Sequence, residues 1–340
     1  MRTLTLTQVP TEGGGYLGVI VVDGDRVFAA GGTHHNPTLL VSEDRGHTFQ
    51  RWKTPPEIPG LRDVHVEGDV VWVAGEWGRI ARTIDRGATW TALRPAGKDN
   101  SACLYSIMRG VDRKLWVLGD HGLVLRSRST KATATKFERV ENVSTARLLY
   151  MFVDGIDTWL LDSAGELQRS SGKEFVDVPL KAMRNARPLC ALVRTPRKTL
   201  LLLGDGGLVL RSTTDGATWK KISIDSRNDL EKLMVTRYGI FIVGAQGSLL
   251  VSHDDGQSFQ GLATAVEAHL WSLAEIGGEL VIGAQGGIIY RIDRKDLAEV
   301  LRRGYVKRDP LLAELAARLR DGDEGAELVL EDALKERELL

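Results

Sequence analysis

Glu76, Asp120 and Asp205 each follow a short apolar run that ends in glycine. Cleaving a glycosidic bond needs two such carboxylates facing each other across the substrate. Asp63 and Glu231 precede comparable runs, beside Arg62 and Lys232. Five of the seven histidines, at 34, 35, 65, 121 and 269, fall near the same runs. A metal centre requires three or four converging ligands. Neighbours on an extended chain point to opposite faces, so His34 and His35 do not chelate together. No metal and no cofactor are expected. Cys103 and Cys190 lack metal-ligand or disulfide spacing and are expected as buried small side chains. Gly204-Asp205-Gly206-Gly207 is glycine-rich, but a strand pattern follows it, so it reads as a hairpin turn and not a phosphate loop.

The elements that position these residues recur. An apolar run closing on a tight turn appears at Val27–Gly31, Val71–Gly75, Leu115–Gly119, Trp159–Asp162, Leu201–Gly204, Ile240–Gly244 and Leu280–Gly283. The spacing between copies is 39 to 44 residues. Each copy fits four short strands: an opening strand such as Leu104–Ile107, the run itself, a third strand such as Leu123–Ser127, and a fourth such as Trp90–Leu93. Runs this short, ending in glycine, do not show helical periodicity. Four strands at this period are the pattern of propeller blades. The expected fold is all-β: a seven-bladed β-propeller over residues 1–292, followed by a short α-helical C-terminal extension over 293–340. The seventh copy has only three strands, so residues 3–8 are expected to supply its fourth and close the ring.

Composition agrees. Glycine supplies 37 of 340 residues, well above the usual share of about 7%, and the excess belongs to turns. Lys plus Arg equals Asp plus Glu at 45 each, which argues against a nucleic-acid partner. The N-terminal Met1–Gln8 alternates polar and apolar residues and has no signal-like apolar run. No stretch approaches the roughly 18 apolar residues of a membrane span. A cytoplasmic protein without a membrane span is expected.

A second motif sits in the turn after the third strand. It reads Ser42-Glu43-Asp44-Arg45-Gly46-His47-Thr48-Phe49, with copies built on Asp85, Gly87 and Trp90 and on Asp254, Gly256 and Phe259. A variant has Thr214 in the Asp position, with Gly216 and Trp219. Asp accepts hydrogen bonds from its own turn, and Gly supplies a left-handed backbone. The motif resembles the Asp-box, or bacterial neuraminidase repeat. With this period and blade number, the chain most resembles the photosystem II stability/assembly factor-like family. That resemblance implies a WD40/YVTN/BNR-like propeller, assembly-factor roles for some members, and occurrence in many non-photosynthetic bacteria. The motif is structural and does not imply sialidase activity. A sialidase-like site would need three arginines. Arg62 stands almost alone, because blades one, five, six and seven show none at the start of their first strands or in the second-to-third loops.

The resemblance places the Asp-box turns on one face and a funnel on the other. From the loops between second and third strands, the funnel face receives His34, His35, Glu76, Trp77, Asp120, His121, Asp205, Gln246 and Gln285. From the starts of the first strands it receives Arg62, Asp63, Tyr105, Tyr150, Glu231 and Trp271. Aromatic residues with mixed polar partners are common at recognition surfaces, but aromatics equally pack blade against blade. The expected function is a non-catalytic protein-binding scaffold or assembly factor with a protein or multiprotein partner. The alternative is a carbohydrate-active hydrolase, with Asp120 and Asp205 separated by an intervening blade and a glycan as ligand.

The tail changes character. Leu311, Leu312, Leu315, Ala316 and Leu319 form a helical stripe behind Asp309-Pro310, and Leu328 to Leu339 form a second helical pattern. Residues 311–340 carry a net charge of −5, whereas residues 101–200 carry +7. Two readings stand: the tail docks on its own propeller, or its stripe engages a partner.

Overall fold

The computed structural model describes residues 4–97, 101–141, 143–172, 174–181, 183, 185–306, 310–320, 325, 326, 329 and 333. The strands form seven antiparallel four-stranded sheets, each in simple up-and-down order. They are the blades of a seven-bladed propeller. The first blade begins at Tyr16–Asp23, the second at Leu61–Glu67 and the third at Leu104–Arg109. Blades four to seven begin at Leu148–Asp154, Leu189–Arg194, Leu230–Thr236 and Leu270–Ile276.

The core lies between blades. One cluster joins Phe28, Leu39 and Val41 of blade one to Leu61, Val64 and Val71 of blade two. Six similar clusters complete the circle. Trp72 and Trp159 are fully buried within them. Burying one large apolar side chain is worth about 1.5–3 kcal/mol, so cohesion is spread over seven seams.

The ring closes through an N-terminal strand. Thr7, Gln8 and Val9 pair with Arg291, Tyr290 and Ile289. The pairing differs from the expected 3–8 because Val9 is the residue that fits the core, packed among Leu17, Ile20 and Ile289. Leu4 instead makes a parallel bridge to Thr264, and residues 1–3 lie outside the described residues.

The four turns of the repeated motif share one geometry. The hydroxyls of Ser42, Thr83, Ser212 and Ser252 accept from the backbone N–H of Gly46, Gly87, Gly216 and Gly256 at 2.7–3.0 Å. Asp44 Oδ1 accepts from Thr48 N at 2.9 Å, and Asp85 and Asp254 repeat this at the same distance. Thr214 accepts from Thr218 N at 2.8 Å through its hydroxyl. Gly87 has φ +80°, and a Cβ there would sit 2.6 Å from the Trp52 ring, so glycine is required both by conformation and by the indole of the neighbouring blade. The closing aromatics Phe49, Trp90, Trp219 and Phe259 are only half-buried, each against an inter-blade cluster. The Trp90 indole donates to Lys53 O at 2.8 Å.

After the ring the described residues include the helices α1 (Arg294–Val306) and α2 (Pro310–Arg320). Asp293 caps α1, its carboxylate accepting from Asp296 N at 2.8 Å. Leu297 and Val300 enter the cluster between blades six and seven, so α1 docks on its own propeller. In α2, Leu315 is buried and Leu311 is exposed. The side chains of Leu312, Ala316 and Leu319 lie outside the described residues, as do Asp309 and nearly all of 328–339. Among the described residues, no helix is long and apolar enough to cross a membrane.

Candidate functional site

Every first strand carries a β-bulge at the same repeat position. The register skips one residue between Leu17 and Val19, Leu61 and Asp63, Leu104 and Ser106, and Leu148 and Tyr150. The same skip falls between Leu189 and Ala191, Leu230 and Lys232, and Leu270 and Ser272. The skipped residues are Gly18, Arg62, Tyr105, Leu149, Cys190, Glu231 and Trp271. All seven line one central channel of about 590 Å³. A bulge re-aims its residue out of the pleat, so each blade brings its bulge residue to a ring, six of them with side chains and blade one with Gly18. One step further along the strands, Asp63, Tyr150 and Lys232 line the same channel.

The channel therefore gathers Arg62, Asp63, Tyr105, Tyr150, Glu231 and Trp271, six of the sequence-derived candidates. The remaining candidates sit at the rim. There, second-to-third loops bond the segments that lead into first strands, His35 that of the next blade and the other four that of their own blade. His35 N donates to Pro59 O at 2.8 Å, Glu76 N to Gly60 O at 3.0 Å, Asp120 N to Cys103 O at 3.0 Å, Asp205 N to Pro188 O at 3.1 Å, and Gln285 N to His269 O at 2.9 Å. His121 and Gln246 are exposed, with positive φ of 56° and 53°. Trp77 is 49% exposed.

Blades one, two, six and seven share a continuous network. Arg62 donates to Glu76 Oε1 at 2.7 Å. It also bonds the Tyr16 hydroxyl and lies over the Tyr16 ring at 5.5 Å. Glu76 also bonds His34, whose ring centroid is 5.8 Å from that of Trp77 and 3.9 Å from that of His35. The two histidines meet, contrary to the expected opposite faces, because the positive φ of 68° at His35 breaks the extended alternation. Tyr16 meets Trp271 at 5.4 Å. Trp271 stacks under His269, and a 2.8 Å hydrogen bond joins His269 Nε2 to Glu231 Oε1. Lys232 Nζ lies 4.6 Å over the Tyr150 ring. On blade three, Arg147 covers the Tyr105 ring at 5.1 Å and donates to Asp120 Oδ1 at 2.9 Å.

Sequence reading missed Tyr16 and Arg147. Both stand immediately before the recurring leucine of the first strand, the position that His269 also holds. That shared offset is the signal that would have found them. Leu149 and Cys190 were missed as channel residues as well. Cys103 and Cys190 are half-buried, not fully buried as expected, because the bulge turns Cys190 to the channel and Cys103 stands one residue before a bulge strand's leucine. Arg187 also revises the expectation that blade five brings no arginine to this face. It stands two residues before that blade's first strand and donates to Asp205 O and Gly206 O at 3.1 and 3.0 Å.

The channel shifts its ionisable groups. Burial raises Asp63 to about 6, although its carboxylate accepts from Ile107 N and Val64 N at 2.8 Å. Some of its surface faces the channel while the rest is packed in protein, which leaves little water to solvate the anion. Burial likewise raises Glu231, with His269 opposing, and raises the Cys190 thiol and the Tyr105 phenol. Burial lowers His65. At the rim, burial and the neighbouring Asp229 raise Asp205. Asp120 and Asp205 are not brought together and neither lines the channel. Among the described residues, no cluster of His, Cys, Asp or Glu could hold a metal ion.

No family model matches the chain, and no curated protein sequence matches it. Among solved structures it is similar to YCF48 bound to a D1 peptide, 18% identical with a TM-score of 0.70, the match covering 86% of this chain and 97% of that one. It is similar to YCF48 from Cyanidioschyzon merolae, 14% identical with a TM-score of 0.68, covering 85% and 99%. It is also similar to a catalytically inactive virginiamycin B lyase from Staphylococcus aureus with quinupristin, 13% identical with a TM-score of 0.69, covering 85% and 98%. At these identities the likeness shows the fold alone.

Proposed function

We propose that this protein is a non-catalytic protein-binding scaffold of the Asp-box propeller type, which takes its partner at the mouth of the central channel. The observation that carries this reading is the ring of seven bulges. A repeat that only closed a ring would have no use for a different side chain at each bulge. Here the positions hold an arginine, a tyrosine, a leucine, a cysteine, a glutamate, a tryptophan and a glycine. Such a mixture of aromatic, apolar and oppositely charged groups suits a protein surface, where aromatics and arginine dominate binding energy. The exposed Trp77 and the two histidines beside it extend the surface over the rim. The likeness to a YCF48 structure that contains a peptide supports the reading at the level of fold. The test is recovery of a protein partner by the intact chain and its loss when Trp77, Tyr105 and Trp271 become alanine.

A second reading, hydrolysis of a glycan, draws on one observation. Asp63 and Glu231 line the same channel and both are raised by burial, as a general acid requires. In that reading the pair is Asp63 and Glu231, in place of Asp120 and Asp205. Hydrolysis of any member of a glycan panel, abolished by Asp63→Asn or Glu231→Gln, would establish it.

A further inference from the structure

A second cavity, of about 490 Å³, opens between blades five and six, away from the channel. Its charged lining is entirely cationic: Arg187 ahead of blade five, Lys221 on that blade's outer strand, and Arg227 on the stretch that leads into blade six. Among the described residues, none of the three stands within ion-pair distance of a carboxylate. Elsewhere in the ring the common solution is pairing, as in Arg169 with Asp157, Arg211 with Asp255 and Arg126 with Glu138. Arg187 acts on the Asp205 carboxylate from beyond ion-pair distance, but no carboxylate lines the cavity, so its three cations favour an anion there.

The cavity also supplies neutral donors and shape. Ser223 and Ser226 line it. Ser226 Oγ accepts from Asn228 N at 3.1 Å, which leaves its O–H to donate. Arg187 is anchored through one nitrogen by the carbonyls of Asp205 and Gly206, so its guanidinium is held in place. Asp229, an exposed residue, accepts from Gly206 N at 2.8 Å, and neither it nor Asp205 nor the exposed Asp225 lines the cavity. Ile222 and Ile224 form an apolar side.

We propose that this cavity is a binding site for a phosphate monoester, with Arg187, Lys221 and Arg227 around the phosphoryl oxygens, the two serine hydroxyls donating to them, and the organic group of the ester against Ile222 and Ile224. Two negative charges and three acceptor oxygens match three cations and two hydroxyls. The arginine forks favour a planar two-point approach and the lysine a point charge. The volume exceeds that of bare phosphate, which is why an ester is preferred to the inorganic ion. This site is independent of the channel, so it stands or falls apart from the scaffold reading.

The test is calorimetric titration of the full chain with inorganic phosphate, phenyl phosphate and an alanine–phosphoserine–alanine tripeptide. Saturable binding of an ester, tighter than that of inorganic phosphate, is expected. Lys221→Glu with Arg227→Glu should weaken it at least tenfold, while Trp271→Ala in the channel leaves it unchanged. Both glutamate changes are at exposed positions, and a melting curve matching the parent confirms folding. Lys221→Gln with Arg227→Gln is the milder variant should the first fail that check. Tighter binding of phenyl phosphate identifies a small phosphorylated molecule as the source. Tighter binding of the tripeptide identifies a phosphorylated chain. No saturation by either ester at millimolar concentration would overturn the proposal, as would binding that both double variants leave intact.

Discussion

His269 lies flat on Trp271, with ring centroids 3.7 Å apart and planes 4° from parallel, while its Nε2 reaches Glu231 Oε1 at 2.8 Å. The imidazole thus ties the bulge residue of blade seven to the bulge residue of blade six. Replacing His269 with alanine frees both side chains. Partner affinity should fall without a matching loss in melting temperature, because both residues are half-exposed and outside the inter-blade clusters. The split between affinity and melting temperature, measured on one preparation, checks this. A loss of stability as large as the loss of affinity would make the stack a packing device.

Asp63 predicts a pH dependence. Its pKa is raised in the fold to about 6, from an ordinary value of 3.8. The folded state therefore binds this proton more tightly than the unfolded state. Its contribution to stability is present below pH 3.8 and declines as pH rises towards 6. Asp63→Asn removes that slope. Relative to the parent, the variant should gain melting temperature steadily between about pH 4 and 6 and hold a constant difference above. A parallel pair of profiles would contradict the raised pKa.

Asp44 behaves oppositely. Partial burial opposes its ionisation, but the Thr48 hydroxyl and N–H, with Ser42 and His47 N, pull it down to about 2. Asp85 is brought to about 2 by Thr89 and Thr83. Their folded pKa values lie below the unfolded one, so the stability they provide is full above pH 3.8 and lost as pH falls towards 2. Blade five has Thr214 at this position. Thr214→Asp should raise stability by about 1 kcal/mol near neutral pH, the net value of a hydrogen bond gained. The gain should vanish at pH 2. Thermal melts at the two pH values test both statements.

The N-terminal strand closes the ring through Val9, which is 4% exposed among the residues of the seam. Val9→Asp places a charge there and should lower the melting temperature nearly as far as deletion of residues 1–9. A melt unchanged by either would show that the seam holds without the strand.

Helix α1 approaches blade six at Gly304, where a Cβ would fall 2.0 Å from His253 Cδ2. Gly304→Val should displace the helix and expose the chain to protease near residues 300–306, while the parent resists there. Equal cleavage of parent and variant would separate α1 from the propeller.

Blade number and ring order were legible because one apolar run and one glycine turn recur at a nearly constant interval. The channel residues Arg62, Tyr105, Glu231 and Trp271 were legible for the same reason: each follows the recurring leucine. Tyr16, Arg147 and His269 reach the site from one residue earlier, at or just ahead of the strand's start, where no hydrophobic pattern marks a position. Leu149 and Cys190 looked like core residues by type, and only the bulge, a backbone feature, turns them to the channel. The N-terminal register depended on which apolar residue fits the last blade, a packing question that alternation alone does not answer.

The central claim, that partners dock on the channel mouth, is tested most directly by site-specific photo-crosslinking. A photoreactive residue at Trp77 on the rim should capture a discrete protein partner in the native cell, and the adduct should disappear when Trp271→Ala is added. The same residue at Val176, 61% exposed on the outer strand of blade four, should capture none. An adduct at Val176 that is absent at Trp77, or one at Trp77 indifferent to Trp271, would contradict it.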